Sequence, residues 1–558
     1  MICGAAGNLL PRICMALTIY REVLAMITCI RDGLIYDGGL GAPVRGELWI
    51  SGDRIIAVGA APDGISADRV IDAHGRVLCP GFVDMHRHPD VKPFCGWTGE
   101  VELRQGITTT VAGNCGISMT PASPEHAGEQ YEFDEPVLGP MCANPPATFP
   151  EYLDELDKRP LPINMAAMIG AGSVRISIKG FANTPFSSDE MDSARCMIAQ
   201  ALDAGAPGVS LGIMYLPECY GTTDEYARML EPVGERGAII ATHIRGEGDS
   251  MVSSVAEVIE IARRAGCALE ISHFKSCGVK NWRRDIHRAI ALIEQARARG
   301  QQVSCDFYPY EGGSTALTTM LPPDFVRGDM ASALARLGTP EGVEEFRASS
   351  RREYDDWDNF ALTLGWQRIL ISGVMLPEHR AMLGMDMVSA ADHFGYADAE
   401  ALAAHLMHSE RGRTAIINMS MCQDDIDTVA RLPYSAAISD AIYADTDTPH
   451  PRMFGAMPKL LREYVRERGV LTMQQAIHKL TRMPAERTGL AGRGTLEQGA
   501  FADVLMFDPE RFTDHATFSS PAQLATGLDM VMINGCEVLR DDVLLKSDAG
   551  RCLRRRYK

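Results

Sequence analysis

Residues 79–90, CPGFVDMHRHPD, stand where the texture of the chain changes. Before them, from Ile27 to Val77, short alternating runs such as CIRDGLIYDG and GELWISGDRIIAVG close on Gly, Asp or Pro and read as strands of an all-β segment. After them, short apolar strands ending in polar or glycine residues alternate with helical stretches such as SSVAEVIEIARRAGCA. GFVDMH is the first of eight strand candidates; GITTTVAG, INMAAMIG, GVSLGI, GAIIATH, ALEISH, QVSCDF and YSAAISD follow. Eight β/α units are what a closed parallel (β/α)8 barrel requires, with side chains for chemistry at the C-terminal ends of its strands.

The all-β texture returns at GTLEQGAFADVLMFDP and DMVMINGCEVLRDD, so two distant segments combine into one small sheet domain. The division that follows is an N-terminal extension over 1–26, poorly ordered; a β-sandwich from 27–79 and 490–545; a barrel over 80–489; and a C-terminal tail over 546–558. ILISGV and TAIINMS are surplus strand candidates between the seventh and eighth strands, and the region from about Gly313 to Trp366 reads as an insertion.

Composition excludes several classes of function. The chain has 558 residues, 46% hydrophobic and 23% charged, the balance of a globular protein. A net charge of −19 with no basic block except the terminal RCLRRRYK argues against nucleic acid. No run of about 18 apolar residues predicts a membrane span. The 15 cysteines have neither regular spacing nor a CxxC pair, which points to buried thiols in a reducing, cytoplasmic setting.

The strand ends carry the chemistry. A strand repeats every two residues, so His86 and His88 project to one face where the first strand runs out, and both can reach one cation. Taken alone the pair is commonplace, and on spacing alone two surface or core histidines explain it better than a metal site. His243 and His273 lie one β/α unit apart, each after an apolar strand, and stand side by side on the same rim. Cys115 in TVAGNCG ends the second strand between glycines that allow close approach of backbone or ion. Asp440 closes the eighth strand, where a carboxylate deprotonates a water; Asp445 and Asp447 are nearby competitors. Six residues of ligand or base type on one rim are hard to explain as packing, and they make a metal-dependent hydrolase the leading expectation.

With these residues in hand the chain resembles the amidohydrolase superfamily, and within it the N-acyl-D-amino-acid deacylase (D-aminoacylase) family. The pieces that carry the resemblance, over roughly residues 27–540, are PGFVDMHRH, GNCG, LGIMYLPE, THIRGEGD, SHFK, DFYPYEGGST, HPRMFG, LTRMPAERTGL and GAFADVLMFDP. The resemblance implies a metallo-dependent hydrolase barrel beside a small β-sandwich, with Zn2+ at the barrel mouth. Cys115, His243 and His273 are then the ligands of a tight zinc, His86 and His88 those of a second, weaker position, and Asp440 the catalytic base. It further implies that Lys275, Tyr215, Tyr308, Ser314 and Arg452 hold the α-carboxylate and amide of the substrate. The alternative for Lys275 and Arg452, outweighed by the motif, is a structural ion pair. Arg87 stands where the family usually has a small residue.

The activity so implied is zinc-dependent hydrolysis of the linear amide of a small-molecule N-acyl-D-amino acid. The alternatives are an amidohydrolase acting on a cyclic amide, a dipeptide or another N-substituted acid, and a catalytically silent barrel used as a binding module. Oligomeric state is not legible in the sequence.

Overall fold

The computed structural model describes residues 26–557 apart from 327, 328, 355, 356, 445 and 447. The N-terminal extension, Met26 excepted, and the competitors Asp445 and Asp447 thus lie outside the described residues.

Each of the eight candidates is a strand: β1 (Phe82–Asp84), β2 (Ile107–Ala112), β3 (Asn164–Ala167, resumed at Ile169–Gly170), β4 (Gly208–Gly212), β5 (Ile239–His243), β6 (Ala268–Ile271), β7 (Val303–Phe307) and β8 (Ser435–Ala437). Neighbours pair in parallel from β1 through to β8. The ring closes where Asp440 N–H donates to His86 O at 2.9 Å and His88 N–H to Ala441 O at 3.0 Å. Apart from Ala268 and Ser304, every strand residue is buried. Both faces of a barrel strand are covered, which is why these strands read as apolar runs rather than alternating ones.

The helices between them begin and end on local signals. Ser188–Ala204 starts with a capping box, in which Ser187 and Glu190 satisfy each other's backbone N–H groups, and stops at Gly205 with φ of 115°. Met251–Ala265 turns Val255, Val258, Ile261 and Ala262 inward at helical spacing and stops at Gly266. Those faces join one core with the barrel strands.

The chain ends meet in a nine-stranded sheet. Val77–Pro80, which leads into β1, pairs antiparallel with Val504–Phe507, which follows the last barrel helix. Ile55 N–H donates to Ala500 O and Ala502 N–H to Asp53 O, so the edge strand Arg54–Gly59 is drawn back over a core that includes Ile30, Leu48, Leu78, Val504 and Met530.

One boundary differs from the sequence reading. The insertion does not stop at Trp366. The surplus strands Ile369–Gly373 and Ala415–Asn418 pair antiparallel with each other, and the latter with Gly313–Ala316, in a separate three-stranded sheet with its own core around Phe325, Phe346, Ile369 and Leu402. The excursion between β7 and β8 therefore runs to Asn418. In the C-terminal tail, Met165 N–H donates to Arg551 O at 2.9 Å and Leu553 N–H to Met165 O at 2.7 Å, which lays it beside β3. Arg554 reaches Asp154 at 2.7 Å and pins it to a barrel helix.

Candidate metal centre

Three strand ends leave ordinary backbone geometry to turn their side chains inward. Cys115, His273 and Asp440 have φ values of 55°, 35° and 51°, a region that non-glycine residues rarely enter. Each such residue costs about 1–3 kcal/mol and persists where its surroundings over-determine it, typically at functional sites. The glycines flanking Cys115 serve backbone packing. A Cβ on Gly113 would collide with Met168 O, and one on Gly116 with the Glu218 carboxylate and Gly212 N.

The inward side chains converge. Cys115 Sγ lies 3.2 Å from His86 Nε2 and 3.4 Å from His273 Nε2. Asp440 Oδ1 lies 3.3 Å from His86 Nε2 and 3.5 Å from His88 Nε2. One ligand atom from each of His86, Cys115, His273 and Asp440 fits within a 4.8 Å span, and His243, Glu247 and His273 form a second such group. His243 Nδ1 is 2.9 Å from His273 Nε2, while its Nε2 faces Met214 Sδ at 3.1 Å. The donors thus form one continuous cluster sharing His273, with Cys115 nearer to His86 than a division into a Cys115–His243–His273 position and a His86–His88 position suggests.

Charge within the cluster suits a cation. Burial pushes the Cys115 thiol up, but the His86 and His273 rings outweigh it and hold the thiol well below its ordinary value. Burial likewise raises the Asp440 carboxyl, and Arg452, His86 and His273 together bring it well below the carboxylate range. Burial lowers His88, yet Asp440 and Cys115 lift it to about 9. A thiolate, imidazoles and a carboxylate, all buried, are a donor set that fits zinc.

Two carboxylates behind the rings escaped the sequence reading. Glu247 Oε1 accepts a hydrogen bond from Lys275 Nζ at 2.6 Å and lies 3.1 Å from His273 Nδ1. Asp306 accepts the His273 backbone N–H and lies 3.5 Å from His86 Nδ1. Carboxylates in this position fix the tautomer and orientation of ligating histidines. Both had a signal: Glu247 follows His243 by four residues, and Asp306 stands near the end of β7.

Ten of the eleven residues singled out from sequence line one small buried cavity, and His86, fully buried, lies against its wall beside Cys115 and Asp440. Lys275, Tyr308, Ser314 and Arg452 line the cavity with the metal donors. Lys275 donates to Glu247, its Nζ lying 2.8 Å from His273 Nδ1, and Arg452 Nη1 lies 2.7 Å from Asp440 Oδ2, so each makes the structural ion pair named as the alternative from sequence. Arg452 nevertheless keeps a buried Nε without a hydrogen-bond partner, beside an equally unpartnered Tyr308 hydroxyl whose ring lies 4.7 Å beneath the guanidinium. Buried donors of this kind are rare unless an acceptor arrives from elsewhere.

Arg87 points away from the cavity. It is fully buried and donates to Tyr443 Oη at 2.7 Å, Ser439 Oγ at 3.1 Å and Glu102 Oε1 at 2.9 Å, with Asp84 3.6 Å away. The residue between the two histidines is a brace from β1 to the segment carrying Asp440.

Known proteins resemble this chain over most of its length. The model of the amidohydrolase family matches residues 69–199 and 379–539. The N-acyl-D-glutamate deacylase of Alcaligenes xylosoxydans xylosoxydans is 33% identical over 519 residues, 91% of this chain and 93% of the relative. Among solved structures, the N-acyl-D-glutamate deacylase of Bordetella bronchiseptica, complexed with zinc and a phosphonate mimic of the tetrahedral intermediate, superposes with a TM-score of 0.80 at 30% identity, covering 95% of this chain and all of that one. A D-aminoacylase with a binuclear metal centre, activated by one metal and attenuated by the second, gives 0.78 at 29% identity, covering 95% and 99%. Among the described residues no helix is long and apolar enough to cross a membrane.

Proposed function

Since the chain belongs to the amidohydrolase family, we propose that it hydrolyses the linear amide of an N-acyl-D-amino acid to a free D-amino acid and a carboxylate, with zinc as cofactor. The observation that carries this reading is the position of Asp440, between the histidine and thiolate donors on one side and the Arg452 guanidinium on the other.

Cys115, His243 and His273 would hold the tight zinc, with His86 and His88 serving a second position. When bound, zinc supplies a Lewis acid that polarises a carbonyl and lowers the pKa of water toward ~7. The chain's own groups do the rest. Asp440 takes the proton of the attacking water and passes it to the leaving nitrogen. Arg452, Lys275, Tyr308 and Ser314 receive the α-carboxylate through charge-assisted hydrogen bonds, which a protein of net charge −19 must provide locally. The Tyr215 hydroxyl, 3.3 Å from His243 Nδ1, donates to the amide oxygen.

The test is a rate comparison over paired N-acetyl-D- and N-acetyl-L-amino acids with zinc-replete protein, with hydantoins and dipeptides alongside. Turnover of the D series identifies the activity. Turnover confined to L substrates, cyclic amides or dipeptides overturns it, and no turnover at full zinc occupancy favours a silent barrel.

A further inference from the structure

The catalytic cavity opens into a much larger one. A vestibule of 710 Å³ shares Ile117, Val137, Met214, Tyr215 and Thr315 with it and extends outward between the helix Ala127–Leu138 and the insertion. An N-acetyl group needs no such space, which is of the size that encloses ligands many times larger. Its walls are largely apolar, with Phe133, Val137, Met214, Leu216, Leu334 and Trp357 contributed by three separate parts of the chain.

Charge in the vestibule disfavours an acidic guest. Lys179 and Arg411 are outnumbered by Glu129, Glu132 and Asp329 among the described lining residues. The Lys179 ammonium is already bound to Pro185 O and Glu190. In the inner cavity the fixed cations among the described residues are Lys275 and Arg452, enough for the one α-carboxylate assigned to them. A second carboxylate on the substrate would find no free cation there and would be desolvated unpaired.

From the continuity of the two cavities and this shortage of cations we propose that the vestibule binds a long apolar chain of the substrate, and that the enzyme acts on N-acyl-D-amino acids with an extended hydrocarbon group rather than on acidic ones. This rests on the deacylase reading above and deepens it. It separates this chain from relatives named for D-glutamate, with which it shares about a third of its residues. The apolar chain could belong to the acyl group or to the amino-acid side chain; the same surface would take either.

Two substrate series distinguish them. One extends the acyl group from acetyl through butanoyl and octanoyl to dodecanoyl on D-alanine. The other keeps acetyl and varies the amino acid over D-alanine, D-leucine, D-phenylalanine and D-glutamate. Each methylene moved from water into the vestibule should raise kcat/KM by up to roughly fourfold until the space is filled. The series that climbs identifies the chain's owner, and D-glutamate should be the poorest of the second series. Leu334→Asp should then lower the ratio of long-chain to short-chain kcat/KM at least tenfold. Flat or falling rates in both series, or a preference for D-glutamate, overturn this inference while leaving the deacylase reading intact. Inertness of every member of both series overturns both.

Discussion

Arg452 and Asp440 meet at 2.7 Å inside the barrel mouth, with both side chains buried. The guanidinium is among the groups that keep the carboxylate ionised despite its burial, and ionised is the state in which Asp440 accepts a proton. Asp440→Asn keeps the volume and the backbone turn but removes the basic oxygen. A general base contributes about 10²–10⁴-fold, so kcat should fall by roughly that factor while the tightly bound zinc stays, as read by elemental analysis. Full activity in the variant would remove Asp440 from the mechanism.

The thiolate makes a separate demand. Cys115 is the soft donor of the cluster, lies 3.2 Å from His86 and 3.4 Å from His273, and has a φ of 55° in a turn whose neighbouring Gly113 and Gly116 leave no room for a Cβ against Met168 and Glu218. Cys115→Ala leaves imidazoles and carboxylates to hold the ion. Tightly bound zinc should drop from about one per chain to a small fraction after dialysis. Retention at the wild-type level would show that the thiolate is not a ligand.

These two residues were visible in the sequence because a barrel rim is a topological consequence of strand order, and a histidine, cysteine or aspartate at the end of an apolar run has few packing reasons to be there. Other features lacked such a marker. Glu247 and Asp306 are single carboxylates in a chain with 73 acidic residues, and only the meeting of particular atoms across β5, β6 and β7 distinguishes them. The strands at 369–373 and 415–418 have the same apolar texture as barrel strands, so periodicity leaves them surplus to the eight, and only their antiparallel partners assign them a sheet. The terminal RCLRRRYK carries no strand pattern, and its backbone bonds to Met165 decide where it lies.

The brace around Arg87 is open to a stability measurement. Its guanidinium serves Tyr443, Ser439 and Glu102, all buried. Breaking a buried ion pair from one side typically costs about 3–5 kcal/mol, because the partner is left charged and unpaired. Arg87→Met should therefore lower the denaturation midpoint markedly, and adding Glu102→Gln should restore part of the loss by removing the stranded charge. A single variant that denatures with the wild type would show that the network carries no weight.

A buried lysine at the opposite end of the barrel gives a prediction with a defined pH window. Lys479 Nζ donates to Leu432 O at 2.6 Å, Ser435 O at 2.9 Å and Ser435 Oγ at 3.0 Å. Burial, with Arg487 adding to it against the opposing pull of Cys305, pushes its pKa down from 10.5 to about 8. Below pH 8 the lysine is protonated whether the chain is folded or not, and folding bears the full cost of burying the charge. Between pH 8 and 10.5 the folded chain releases the proton while the unfolded chain keeps it, so this group adds stability as pH rises and withdraws it as pH falls back through 8. The contribution reaches about 2–3 kcal/mol at pH 10. Lys479→Met has no such proton to release. The stability of the wild type relative to this variant, measured by denaturant titration at pH 7 and at pH 10, should therefore increase by that amount at the higher pH, since every other titrating group is common to both and cancels. An unchanged difference would mean that Lys479 titrates like an exposed lysine, and that the three oxygens around its ammonium compensate its burial in full.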